Sequence, residues 1–154
     1  GNFGERKKFY TPDKTGKGKW ATNCTQDDIW GFEDLPLKGK KLIITKSYKD
    51  YRVLKNQGLV VIGFQNEGML PNDEILKSLL ERFEEVIILF DNDSAGIEAA
   101  KKVVDYINEI YPRKSRYVHL NKSLQRKQVS DPADCISKIN KGTLLEFLKN
   151  NKLI

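Results

Sequence analysis

The stretch VIILFDNDSAG, Val86–Gly96, runs five apolar residues straight into two aspartates, Asp91 and Asp93. Apolar runs of this kind belong to strands buried on both faces, as in parallel sheets covered by helices. Packing alone gives no reason to end such a strand on two carboxylates. Other acidic residues follow two further apolar stretches: Asp50 after KLIIT, and Asp131 and Asp134 in SDPADCI after RYVHL. Carboxylates gathered at one place repel, and their joint ionisation costs free energy unless a cation neutralises them. A hard divalent ion, Mg²⁺ or Mn²⁺, does this while keeping waters free to meet substrate phosphates. Asp91, Asp93, Asp131 and Asp134 are therefore the candidate metal ligands. Asp50, Asp91 and Asp93 are candidate catalytic residues. A purely structural alternative stays open for two of them: Asp91 as a helix N-cap, and Asp93 as a first-turn complement to the helix dipole.

These residues meet only if the elements around them bring strand ends to one edge. KLIIT predicts a strand. Ser47 then caps a helix running to about Gln57, and Gly58 stops it. LVVIGF is a second strand, and PNDEILKSLLERF a helix opened by Pro71 and acidic residues. VIILFD is the third strand, AGIEAAKKVVDYINEIY a long amphipathic helix, and RYVHL the fourth strand. DPADCISKI and GTLLEFLKNN close the chain as two helices. Strands alternating with helices imply right-handed crossovers and an α/β class: an open, mostly parallel four-stranded sheet flanked by helices. Ligands of such sheets bind outside the carboxyl ends of the strands, where all these aspartates fall.

The first forty residues differ from the rest. KKFYTPDKTGKGKWATNC reads as two short strands, Lys8–Thr11 and Trp20–Asn23, around a Gly/Lys-rich turn. A short helical turn and a linker punctuated by Pro36 and Gly39 follow. The division predicted is a basic, aromatic, β-rich arm over 1–40 and the α/β domain over 41–154. In the arm, Lys7, Lys8, Lys17 and Lys19 interleave with Tyr10 and Trp20, a composition suited to a nucleic-acid backbone and its bases. A solvated hairpin over a small aromatic cluster is the alternative.

The 154 residues suffice for one core, and a net charge of +6 favours polyanionic partners. Cys24 and Cys135, far apart and outside any CxxC, exclude a disulfide framework and a structural zinc site and fit a reducing cytoplasm. The single histidine, His119, excludes a His-rich metal site. No apolar stretch is long enough for a membrane span. TGKGKW lacks the spacing of a phosphate-binding P-loop. A dehalogenase-like phosphatase carries its DxD after the first core strand, whereas this pair follows the third. The chain starts at Gly1 without an initiator methionine, as a piece of a longer protein would.

VIILFDNDSAGIEAAKKV resembles the hydrophobic strand, DxD, small residue, Gly and helix of the TOPRIM domain, which topoisomerases and bacterial-type primases share. LIITKSYKDYRVLKNQGLVVIGF resembles that family's first motif. SDPADCI is similar to the KDPD or KDAND stretch that closes the fold in bacterial and phage primases. The TKSxKD form with a basic aromatic segment upstream looks most like primases of phages and mobile elements. There a zinc-binding module precedes the piece and a helicase follows. The resemblance implies Mg²⁺- or Mn²⁺-dependent synthesis of RNA primers, with single-stranded DNA template and nucleoside triphosphates as partners, and a replicative helicase in cis or in trans. Two-metal chemistry would activate a 3′-hydroxyl and neutralise the leaving group.

The first motif departs from the family at one point. Where the family carries Glu–Gly, this chain has Lys46 and Ser47. Lysine cannot ligate a metal. Glu67, in GFQNEG beyond the second strand, is the expected substitute carboxylate, and Lys46 the expected partner of a phosphate or the incoming triphosphate. Two other functions compete: a TOPRIM-type nuclease, and a nucleic-acid-binding module that lost catalysis with the glutamate.

Overall fold

The computed structural model describes residues 8–12, 18–22, 29–64 and 73–154, the first two segments as backbone only and Gln125 without its side chain. Elements follow in chain order. β1 (Lys8–Pro12) pairs antiparallel with β2 (Gly18–Thr22), so that Tyr10 stands opposite Trp20 in the ladder. Then come β3 (Gly39–Thr45), α1 (Tyr48–Asn56), β4 (Val61–Gly63), α2 (Asp73–Arg82), β5 (Phe83–Leu89) and α3 (Ser94–Ile110). β6 (Ser115–Val118), α4 (Lys122–Gln125), α5 (Pro132–Lys138) and α6 (Lys141–Asn150) complete the chain. The second sheet has the order β4-β3-β5-β6, with every pairing parallel. This is the expected α/β architecture.

The core lies on both faces of that sheet because successive strand residues point to opposite sides. Leu42, Ile44, Ile62, Val86 and Ile88 pack against Leu76, Leu79 and Leu80 of α2 and Ala100, Val103 and Ile107 of α3. Ile43, Val61, Ile87 and Leu89 pack against Tyr51 and Leu54 of α1, Cys135 of α5, and Leu144, Phe147 and Leu148 of α6. Each fully buried Leu, Ile or Val contributes about 1.5–3 kcal/mol, so the two-sided strands anchor whatever their ends carry.

Four sequence expectations shift. β5 starts at Phe83, directly after α2 ends at Arg82, so Phe83, expected at the helix end, and Glu84 and Glu85, expected between the two elements, belong to the strand. β4 is only three residues long, and a one-turn helix, α4, precedes the two closing helices. The stretch read as a linker packs on the sheet: Ile29 is buried in the core, and Trp30 exchanges backbone hydrogen bonds with Gly63 at 2.9 and 3.0 Å. That bridge covers the otherwise open edge of β4. His119 lies just past β6 and stacks on Tyr117.

Candidate metal centre

β3 delivers the first residues. After Thr45 the chain turns through Lys46 into Ser47, whose Oγ accepts the backbone N–H of Asp50 at 3.1 Å and so caps α1. At the other end Gly58, at φ 83°, ends the turn after α1 in the left-handed conformation that glycine tolerates. The cap sets Asp50 in the first turn, where its residue is 1% exposed. Its Oδ1 accepts the backbone N–H of Ala133 in α5 at 2.9 Å. Burial, and next the charge of Asp131, raise the Asp50 carboxyl from 3.8 to about 7.

β5 delivers the second. Phe90 is buried and Asp91 follows it. The helix cap falls on Asp93, not on Asp91: Asp93 Oδ1 accepts the N–H of Gly96 at 2.7 Å. Asp91 is thereby released from the capping role that sequence left open for it. Gly96 has to be glycine for this geometry, since a Cβ there would lie 2.4 Å from the backbone oxygen of Asp91. Asp91 Oδ2 lies 3.4 Å from Lys46 Nζ, whereas Oδ1 is buried and accepts no hydrogen bond. Burial lifts the Asp91 carboxyl to about 6, with the Lys46 charge pulling the other way.

The third comes from the loop before α5. Asp131 caps that helix, accepting the N–H of Asp134 at 2.8 Å, and Pro132 fills the first turn. Asp134 turns back to Ser130, accepting its N–H at 3.2 Å and its hydroxyl at 3.0 Å. Asn92, between the two aspartates of β5's end, ties this loop to the sheet. Its backbone N–H donates to Ser130 O at 2.9 Å, and its Nδ2 to Val129 O at 2.9 Å. Asn92 was not among the residues singled out by sequence. A polar residue 1% exposed inside a DxD is a signal visible only with its partners in place.

Among the described residues, one carboxylate oxygen from each of Asp50, Asp91 and Asp131 lies within 4.8 Å of the others. Asp93 and Asp134 stand outside that group: Asp93 accepts the N–H of Gly96, and Asp134 the N–H and hydroxyl of Ser130. Lys46 stands at its edge. Glu67 lies outside the described residues, as do Lys7 and Lys17 and the side chains of Lys8, Tyr10, Lys19 and Trp20. The donors fit a divalent cation: all are hard oxygens, they come from three distant chain segments, and Asp91 presents a buried oxygen without a hydrogen bond.

Comparison with known proteins gives the following. The Toprim domain profile matches residues 39–122. No curated protein sequence matches the chain. Among solved structures, the primase fragment of the bacteriophage T7 primase-helicase protein aligns with a TM-score of 0.51 at 21% identity. That alignment covers 89% of this chain and 55% of that one. The DnaG primase catalytic domain, solved bound to single-stranded DNA, aligns with a TM-score of 0.58 at 17% identity, over 97% and 52%. The chain spans about half the length of both. At these identities the likeness is one of fold.

Proposed function

Since this chain belongs to the Toprim domain family, we propose that it is the metal-binding part of a primase-type nucleotidyltransferase of the phage or mobile-element kind. Its reaction is RNA-primer synthesis on single-stranded DNA from nucleoside triphosphates. The observation that carries this reading is the convergence of Asp50, Asp91 and Asp131 at the carboxyl edge of the sheet. The arm expected over 1–40 forms part of the same primase core: from Ile29 onward it packs into the α/β domain, and its lysines and aromatics would hold template. A replicative helicase in cis or in trans, and a cytoplasmic setting, go with this reading. Among the described residues, no helix is long and apolar enough to cross a membrane.

Asp91, Asp131 and Asp50 hold Mg²⁺ or Mn²⁺, which when bound supplies charge neutralisation for a transferring phosphoryl group. Asp93 and Asp134 act by positioning: Asp93 caps α3 just after Asp91, and Asp134 holds Ser130, the residue before Asp131, through its N–H and hydroxyl. In the metal-free site burial and the Asp131 charge raise the Asp50 carboxyl to about 7, so a divalent ion that takes Asp50 as ligand would displace its proton. Lys46 faces the site with an ammonium able to meet a phosphate oxygen. Glu67 is proposed as the replacement for the family glutamate.

Labelled ribonucleotide incorporation on a single-stranded template tests the reading. Loss on Asp91→Asn supports it, and nicking of supercoiled DNA without incorporation would favour a nuclease. One observation favours the third reading, a non-catalytic nucleic-acid-binding module: Lys46 occupies the glutamate position and is ion-paired to Asp91. Single-strand binding insensitive to Mg²⁺, with no incorporation, would select that module.

A further inference from the structure

We infer that Lys46 is the resident counter-cation of the carboxylate group and competes with the divalent ion for Asp91. This rests on the metal-binding reading of the site and concerns what a metal must displace to enter it. The geometry is direct. Lys46 Nζ lies 3.4 Å from Asp91 Oδ2, with the two side chains 23% and 15% exposed. A pair this sheltered is screened much less by solvent and salt than a surface ion pair.

The placement follows from topology. β3 and β5 are hydrogen-bonded neighbours, with Ile44 beside Ile88. Lys46 leaves the end of β3 as Asp91 leaves the end of β5, so the ammonium arrives where the carboxylate does. The three carboxylates draw together from α1, the end of β5 and the loop before α5. Left alone, such a group is under mutual repulsion, and an ammonium on Asp91 relieves it.

The same ammonium opposes a second cation. A divalent ion taking Asp91 as ligand must either displace Lys46 from Oδ2 or sit a few ångströms from a fixed positive charge. At protein-like dielectric, one unit charge at that range changes binding by about tenfold or more. The site therefore binds metal more weakly than its carboxylates alone would. When metal does take Asp91, the ammonium is released at the mouth of the site. There an anionic phosphate is its natural next partner.

Charge-graded variants test this through Mn²⁺ affinity, read from the electron paramagnetic resonance signal of free Mn²⁺, with circular dichroism of each variant as the fold control. Lys46→Met should tighten Mn²⁺ binding at least tenfold, and Lys46→Glu, which adds a ligand, should tighten it further. Lys46→Arg, which keeps the charge, should stay within about threefold of the unsubstituted chain. Unchanged or weaker binding in folded Lys46→Met would overturn the inference. Asp91→Asn in the Lys46→Met background separates it from the reading beneath. If that double variant binds as tightly as Lys46→Met alone, the ion is elsewhere and the metal-site reading fails too. A measurement on the unsubstituted chain guards against misfolding of the variants. The Lys46 side-chain Cε resonance should shift as Mg²⁺ saturates the site, and an unmoved resonance at saturation would also overturn the inference.

Discussion

Asp50 Oδ1 accepts the backbone N–H of Ala133 at 2.9 Å, joining the first turn of α1 to the first turn of α5 across 83 residues of chain. This bond holds Asp50 against Asp131, and the contact sets how the metal-free site titrates. Asp50 is raised from 3.8 to about 7, first by burial and next by the Asp131 charge. Asp91 is raised in the same direction, to about 6.

The first prediction follows from that direction. Between about pH 4 and pH 7 the folded chain holds a proton on Asp50 that the unfolded chain has released. Stability therefore falls as pH rises through this window, by up to about 1.4 kcal/mol per pH unit for each proton so held. Thermal melts in EDTA from pH 4.5 to 8 should show the fall, and Asp50→Asn, which keeps the oxygen facing Ala133, should flatten it. Saturating Mg²⁺ should oppose it, because the ion binds the ionised folded site. Melting temperatures that rise through the same window in EDTA would contradict the assignment.

A second prediction concerns Gly96. A Cβ there would stand 2.4 Å from the Asp91 backbone oxygen, so the start of α3 or the end of β5 must shift to admit it. Gly96→Ala is expected to cost about 1–3 kcal/mol in chemical denaturation. It should also weaken Mn²⁺ binding although it removes no ligand. Wild-type metal affinity in this variant would show that Asp91 tolerates the shift.

Asn92 carries the third. Asn92→Ala removes the donor to Val129 O and one of the ties between β5 and the loop bearing Asp131. Losing a buried hydrogen bond of this kind costs about 1–3 kcal/mol. Metal affinity should fall with it, as Asp131 is no longer held beside Asp91. Denaturation and Mn²⁺ titration of the same preparation check both halves, and a stability loss without any change in metal binding would reduce Asn92 to a packing role.

The strand-helix alternation was legible because two-sided burial leaves VIILF and LIIT no other role, and because Ser47 and Gly58 bracket α1. The rim was legible for the same reason: a buried parallel strand can end on carboxylates only where the sheet meets solvent. Which aspartates group together was not. Asp93 and Asp134 have the same side chain as Asp91 and Asp131, and only the start points of α3 and α5 decide which of them face Asp50: the cap of α3 is Asp93, outside the group, whereas the cap of α5 is Asp131, inside it. The start of β5 was hidden because α2 passes into it without a turn residue. Asn92 was hidden because Val129 and Ser130, its partners, are far along the chain. The Lys46–Asp91 pair needs the neighbouring of β3 and β5, which alternation alone does not specify.

The last prediction concerns the arm. β1 and β2 set Tyr10 opposite Trp20 and Thr11 opposite Lys19, so the ladder gathers aromatic and basic residues on one short hairpin. If this hairpin holds single-stranded DNA, its two residue types should leave separable marks. Each phosphate neutralised on a single strand contributes about −0.7 to the slope of log affinity against log salt. Lys8→Gln with Lys19→Gln should flatten that slope. Tyr10→Ala or Trp20→Ala should instead lower affinity at every salt concentration, by about 1–3 kcal/mol for a base that stacks on the ring, and leave the slope in place. Fluorescence anisotropy of a labelled oligonucleotide at several salt concentrations reads both quantities. Deleting residues 1–22 should combine the two effects. A slope and an affinity that survive the deletion would move nucleic-acid binding from the arm to the α/β domain, leaving the hairpin as a solvated structural element.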